Sequence, residues 1–282
     1  MSQSARERLA TVASVLFVAF TMTVIFGPLL LLAVFSFNDS TVISLPFEGF
    51  TTQWYSDAFS DPAARTAVLH SLLVASIVTP VCLVLGTASA VGLTRVRFRG
   101  RGAVAALHGA PLVVPWLIIG VAGLILFSQV GIPLSLTTVT AMHIVCTFPL
   151  VVAIVSAGLV RFERSVEEAA IDLGATQGQM VRWVMLPQLG PSLAAAGIFA
   201  FSWSFNNFEI SFFTGGYEQT FPVWVFSVLR HASNLPVVNA MSTVISVAQV
   251  ALVMGAWFAM KRIARKRGEE GQLGDLLTGA VR

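Results

Sequence analysis

Stretches without a single charged residue alternate along the chain with segments that carry all the charges. The charge-free stretches run from Leu9 to Asn38, Thr66 to Thr94, Gly102 to Val160, Trp183 to Phe208 and His231 to Met260. A helix needs roughly 20 apolar residues to cross the hydrocarbon of a bilayer, so four of these stretches hold one span each. The third is twice as long and is interrupted by the turn-like Gln129-Val-Gly-Ile-Pro133, so it holds two. The pattern predicts an all-α membrane protein with six transmembrane helices, near Leu9 to Phe35, Thr66 to Leu93, Ala103 to Phe127, Leu136 to Leu159, Gly190 to Phe213 and Val237 to Met260.

Composition agrees, with 56% hydrophobic and only 11% charged residues, where soluble domains carry about a quarter charged. The basic residues set the expected orientation, because Lys and Arg flanking spans are retained on the cytosolic side. With both termini inside, 15 of the 17 basic residues lie in the cytosolic segments, including Arg95, Arg97, Arg99, Arg101, Arg161, Arg164 and Arg182; Arg65 and Arg230 fall outside. The net charge of +3 therefore reports topology, and it gathers on no soluble face that would bind nucleic acid. The expected division is a cytosolic N-terminus at 1–8, a transmembrane domain at 9–260 with a cytosolic segment at 161–187, and a basic cytosolic tail at 261–282. Beyond Arg267 the tail is Gly-rich and charged, which predicts disorder or loose docking.

Smaller features add little chemistry. The first apolar stretch is too long for a signal-peptide core and lacks a cleavage pattern, so it is read as a span. Cys82 and Cys146 lie inside spans, as small hydrophobes rather than a disulfide. His70, His108 and His143 are scattered over three spans without metal-ligand spacing, which makes them structural histidines and implies no metal site. After the first span, Thr51-Thr52-Gln-Trp54-Tyr55 reads as a Thr-capped short helix with aromatic anchors at the membrane interface, where an external partner could also dock.

The segment between the fourth and fifth spans is different. Ser165 with Glu168, and Thr176 with Gln179, each have the spacing of a capping box. Gly174 stands where the first helix would end and Pro187 where the second would. A helical hairpin at the cytosolic surface is the expectation. Val166, Ala169, Ala170 and Leu173 form an apolar stripe suited to close packing. Glu168 and Asp172, four apart, form a like-charge edge costing a few tenths of a kcal/mol in an isolated helix, a cost easier to understand if a cationic groove receives them.

Glu168-Ala-Ala170, Gly174 and Val184-x-Leu186-Pro187 together resemble the EAA loop of binding-protein-dependent ABC importer permeases, with Val184 for the usual Ile. The resemblance implies a coupling helix seated in a cleft of a cytosolic ATPase, involving Glu167, Glu168, Ala169, Ala170, Asp172, Gly174 and Pro187. Further stretches, Ser36-Phe-Asn38, Gly49-Phe-Thr51, Gln53-Trp-Tyr55, Arg95-Val-Arg-Phe-Arg-Gly100, Pro222-Val-Trp-Val-Phe-Ser227 and Asn239-Ala240, are similar to the second permease subunit of spermidine/putrescine-type importers. That resemblance implies a second permease as heterodimer partner, two copies of a P-loop ATPase that binds the ATP and Mg, an external solute-binding protein and a bacterial inner-membrane location.

Polar groups inside a span usually face a cavity or another helix, and the fifth span is full of them. Ser202, Asn206 and Glu209 fall at i, i+4 and i+7 on one stripe; Ser204, Asn207 and Ser211 form a second; Phe201, Phe205, Phe208 and Phe212 form a third that would face lipid. Glu209 is the only acidic residue inside a predicted span. Ser202, Asn206, Asn207 and Glu209 are the candidate lining for an amine-bearing solute. Polyamine-type relatives usually show acidic residues where this chain has Asn206-Asn207, a departure that leaves room for a zwitterionic, opine-like or aminophosphonate-like amine.

No Gly-x-x-x-x-Gly-Lys-Ser/Thr loop occurs, so ATP hydrolysis is expected in a separate subunit and no cofactor in this chain. A membrane enzyme is disfavoured by the lack of a His-Glu-x-x-His or Gly-x-Ser-x-Gly motif. A secondary transporter or channel subunit for a small polar solute is the remaining alternative, and the double-capped cytosolic segment argues against it.

Overall fold

The computed structural model describes residues 3–41, 47–231 and 234–267. The tail beyond Arg267, with its expected disorder, lies outside the described residues. The elements in order are α1 (Gln3–Phe35), α2 (Gln53–Ser60), α3 (Pro62–Arg95), α4 (Arg101–Val113), α5 (Trp116–Gln129), α6 (Leu136–Arg161), α7 (Arg164–Asp172), α8 (Gln177–Met180), a π-helical turn (Val181–Met185), α9 (Leu186–Gln188), α10 (Gly190–Asn206), α11 (Glu209–Thr214), α12 (Phe221–Arg230) and α13 (Leu235–Arg267). Among the described residues no strand forms, and a single β-bridge pairs Asn38 with Phe50. The all-α expectation holds.

Among the described residues, four helices are long and apolar enough to cross a membrane, and the number rises to six if each of two bent pairs counts as one span. The bends are where the sequence expectation needs correction. The third expected span is broken into α4 and α5 at an angle of 101°. Pro115 pushes its predecessor out of the helical region, and Val114 accordingly has φ −79° and ψ 130°. The fifth expected span ends at Asn206, because Asn207 is extended, and the chain resumes as the separate α11. Pro187 does not terminate a helix. The chain widens into the π-helical turn just before it, continues through α9, and meets α10 at 70°. Widening moves the carbonyl that a proline ring would strike in a regular α-helix. The outer loop expected before the last span also contains an unforeseen apolar helix, α12.

The chain divides into two compact units, residues 1–65 with 225–248 and residues 66–224 with 249–282. In the first, the segment after α1 folds back on the helix end. Trp54 Nε1 donates to the Asn38 carbonyl at 2.8 Å, Tyr55 Oη and Ser36 Oγ are 2.6 Å apart, and Phe37 stacks on Phe50 at 5.2 Å. Trp54 and Tyr55 of α2 are therefore engaged with this segment, while Phe59 is exposed. Thr52 makes no side-chain cap; the Thr51 hydroxyl accepts from the Gln53 N–H instead.

In the second unit, Val74, Val78 and Cys82 of α3, Val151, Val155 and Leu159 of α6, Met180, Met185 and Leu189, and Ala196 and Ala200 of α10 make one buried cluster. Cys82 and Cys146 are both buried free thiols. Glycines bring helices into close approach, as small residues do where lipid offers no hydrophobic drive for association. A Cβ on Gly86 would stand 2.6 Å from Val151 Cγ1, and one on Gly120 would stand 3.0 Å from the Glu209 carbonyl oxygen.

Candidate functional site

Two places in the second unit gather the residues singled out from sequence. The first is the α7–α8 hairpin. Helix α7 ends as a Schellman motif: Gly174 has φ +90°, its N–H donates to the Ile171 carbonyl at 2.8 Å, and the Ala175 N–H donates to the Ala170 carbonyl at 3.1 Å. Helix α8 then opens with the expected capping box. The Gln179 N–H donates to Thr176 Oγ1 at 3.3 Å and the Thr176 N–H to Gln179 Oε1 at 2.8 Å. The turn between the helices is thus pinned from both sides. The other expected capping box does not form. Glu163 occupies the N-cap, Ser165 lies inside α7, and its hydroxyl donates to Glu163 Oε2 at 3.5 Å. A side-chain cap is worth about 1 kcal/mol, and the packing that seats α7 outweighs it.

That packing rotates α7 so that Glu167 is buried and Ala170 packs on the apolar cluster. Glu167 accepts from Arg95 Nε at 2.8 Å, and Arg95 Nη2 lies 2.6 Å from the same oxygen. It therefore belongs to the inside of the chain, unlike the rest of the acidic set with which the sequence grouped it. Glu168 and Asp172 are exposed, and neither has an ion-pair partner among the described residues. The apolar stripe is exposed too, apart from Ala170. Leu173 is 90% accessible and Val166 37%. Pro187 lies beyond this surface, behind the π-helical turn.

The second place is the joint between α10 and α11. His143 of α6 is fully buried there. Its Nδ1 lies 2.9 Å from Ser204 Oγ and its Nε2 3.1 Å from Ser211 Oγ, while Ser211 Oγ donates to the Asn207 carbonyl at 2.8 Å. The ring therefore bridges a serine hydroxyl of α10 and one of α11, one at each nitrogen. Asn207 Oδ1 accepts the Ile210 N–H at 3.0 Å, which starts α11. Thr138 Oγ1 donates to the Thr214 carbonyl at 2.7 Å and fastens the far end of the same short helix to α6.

The joint separates the residues expected to line the path. Asn207 is buried and committed to the backbone. Asn206 is exposed, donates to the Ser202 carbonyl at 2.8 Å and accepts from Gln249 Nε2 at 3.1 Å. Glu209 opens α11, half-buried, with no hydrogen-bond partner for its carboxylate among the described residues. The Phe stripe is broken as well, because Phe205 is buried against Phe221 with ring centroids 6.0 Å apart. The other span histidines are satisfied, His108 by Ser89 Oγ at 3.2 Å and His70 by the Gln219 carbonyl at 3.0 Å. Among the described residues no cluster could hold a metal ion. Sequence reasoning overlooked Arg95, which it read only as a topology signal; its position as the last residue before a turn, within a run of alternating arginines, was the available clue.

No family model matches the chain. It is 34% identical over 253 residues to the putrescine transport system permease protein PotI of Escherichia coli, covering 87% of this chain and 89% of that one. The chain belongs to the spermidine/putrescine-type ABC importer permeases. The spermidine/putrescine transport system permease protein PotC of the same organism is 32% identical over 250 residues, 88% of this chain and 92% of its own. A solved bacterial ABC transporter involved in import of the acidic polysaccharide alginate superposes with a TM-score of 0.69, covering 92% of this chain and 99% of that one, at 18% identity. An amino acid ABC transporter aligns with a TM-score of 0.59 over 76% of this chain, at 15% identity. At such identities these two report the fold, which is that of importer permeases. The family membership displaces the secondary-transporter reading.

Proposed function

We propose that this permease carries a polyamine or a related organic amine through a bacterial inner membrane, with both termini cytosolic. A second permease completes the path, two copies of a P-loop ATPase bind the ATP and Mg, and an external solute-binding protein delivers the solute. The α7–α8 hairpin is the ATPase dock. The observation that carries this reading is the outward face of α7: Glu168 and Asp172 uncommitted, Leu173 almost wholly accessible, on a turn fixed by Gly174 and by the Thr176 cap. Exposed apolar surface ringed by charge marks a contact site. Ala169 and Ala170 keep the helix slender, and Pro187 shapes the exit from the hairpin.

On the solute side, Glu209 is the residue we assign to the amine. It is a half-buried carboxylate with no hydrogen-bond partner among the described residues, three positions past Asn206, whereas Asn207 holds the joint. The relatives are named for putrescine and spermidine, cations that such a carboxylate attracts. The test is ATP-dependent uptake in proteoliposomes holding the co-encoded permease, ATPase and binding protein, with putrescine, spermidine and zwitterionic amines compared. Glu209→Gln should lower uptake of the preferred amine about tenfold, equivalent to about 1.4 kcal/mol, with assembly intact. An unchanged profile would remove Glu209 from the path, and uptake of no amine would overturn the substrate class.

A further inference from the structure

Arg95 has more partners than an ion pair needs. It is the last residue of α3, and its Nη2, besides facing Glu167, donates to the Leu159 carbonyl at 3.0 Å and lies 3.5 Å from the Phe162 carbonyl, with the guanidinium carbon 6.0 Å from the centre of the Phe162 ring. Leu159 is in the last turn of α6 and Phe162 is its C-cap. One planar group therefore ties the ends of α3 and α6 to α7. The side chains of Arg95 and Glu167 are 15% and 10% accessible, so the tie is shielded from water and ions. A guanidinium can do this because its fork offers several fixed donors at once, which an ammonium cannot. Besides this tie, α7 packs on α8 and the π-helical turn, and its Ala170 lies against the apolar cluster.

We propose that Arg95 is the positioning residue that transmits displacement of α7 to α3 and α6, so that movement of the hairpin becomes movement of spans. The proposal rests on the reading of the hairpin as the ATPase dock. It gives the acidic residues of α7 separate roles, with Glu168 and Asp172 facing the partner and Glu167 facing the transmission. Neutralising Arg95 or Glu167 would leave the outward face unaltered and slacken its link to the path.

The experiment uses the complete complex in proteoliposomes and reads three quantities: ATPase retained on the purified permease, ATP hydrolysis, and solute moved per ATP. Arg95→Gln and Glu167→Gln should retain the ATPase and hydrolyse ATP within about twofold of the parent, while solute moved per ATP falls at least about fivefold, the size usual for energetic coupling between sites. Arg95→Lys, which keeps the charge and loses the fork, should fall between. An unchanged transport ratio in Arg95→Gln would overturn the proposal. So would loss of ATPase retention or of chain abundance in Arg95→Gln, since the tie would then serve assembly or folding. Glu168→Lys is measured alongside: if it keeps the ATPase bound at parental level, the docking reading fails by itself, whatever the Arg95 ratio shows.

Discussion

The hairpin and the α10–α11 joint are both interruptions of helix carrying polar side chains, yet they use them in opposite directions. At the joint, Ser204, Asn207, Ser211, Thr138 and His143 close on one another and on freed backbone groups, which must be satisfied wherever a helix breaks at membrane depth. On the hairpin, the backbone is satisfied by Gly174 and the Thr176 cap alone, which leaves Glu168, Asp172 and Leu173 with nothing internal to do. Polar residues at a helix break thus signal self-repair in one case and an open surface in the other. The difference between them is whether the backbone still needs the side chains.

The contrast can be broken by substitution, and the largest effect is expected at the joint. His143→Leu leaves the buried Ser204 hydroxyl without its partner, while Ser211 keeps its bond to the Asn207 carbonyl; an unsatisfied buried group costs about 1–3 kcal/mol, and with the lost ring packing thermal unfolding in detergent should report a loss of about 2–3 kcal/mol. A variant as stable as the parent would mean that the joint does not depend on the ring. Gly174→Leu comes next. A Cβ there meets nothing within 4 Å, so the strain is purely that of φ +90°, about 1–2 kcal/mol for a residue with a side chain. The expected signature is a modest loss of stability together with loss of uptake and of solute-stimulated ATP hydrolysis; retention of both activities would remove the hairpin from coupling. Smallest in stability is the pair Glu168→Gln with Asp172→Asn. Relieving an exposed like-charge pair changes stability by less than about 0.5 kcal/mol, while ATPase retention should fall. If unfolding moved as far as with His143→Leu, the two regions would not differ in kind.

Much of this was legible in the chain. Charge-free runs gave the helices their approximate places, and Gly174 with the Thr176–Gln179 box specified the hairpin turn, because both signals are local and nothing distant competes with them. The EAA-type residues of the hairpin pointed to importer permeases on their own. The failures were of another kind. A run of apolar residues says nothing about a break inside it, so the bend at Val114-Pro115 and the stop at Asn206 were invisible to a span count, and the stripe joining Ser202, Asn206 and Glu209 dissolved with the stop. Ser165 lost the N-cap to tertiary seating of α7. Glu167 and Glu168 are adjacent, and only the rotation of α7 tells which meets Arg95 and which meets the outside.

The wide turn at Val181–Met185 has a bearing on that rotation. An α-helix advances about 100° per residue, and a π-helical turn holds a surplus residue within it. The phase between α8, which carries the hairpin turn, and α9 is thus set by one extra residue. A descendant chain that lost a single codon there could remain helical and apolar throughout, and still point its docking charges somewhere else.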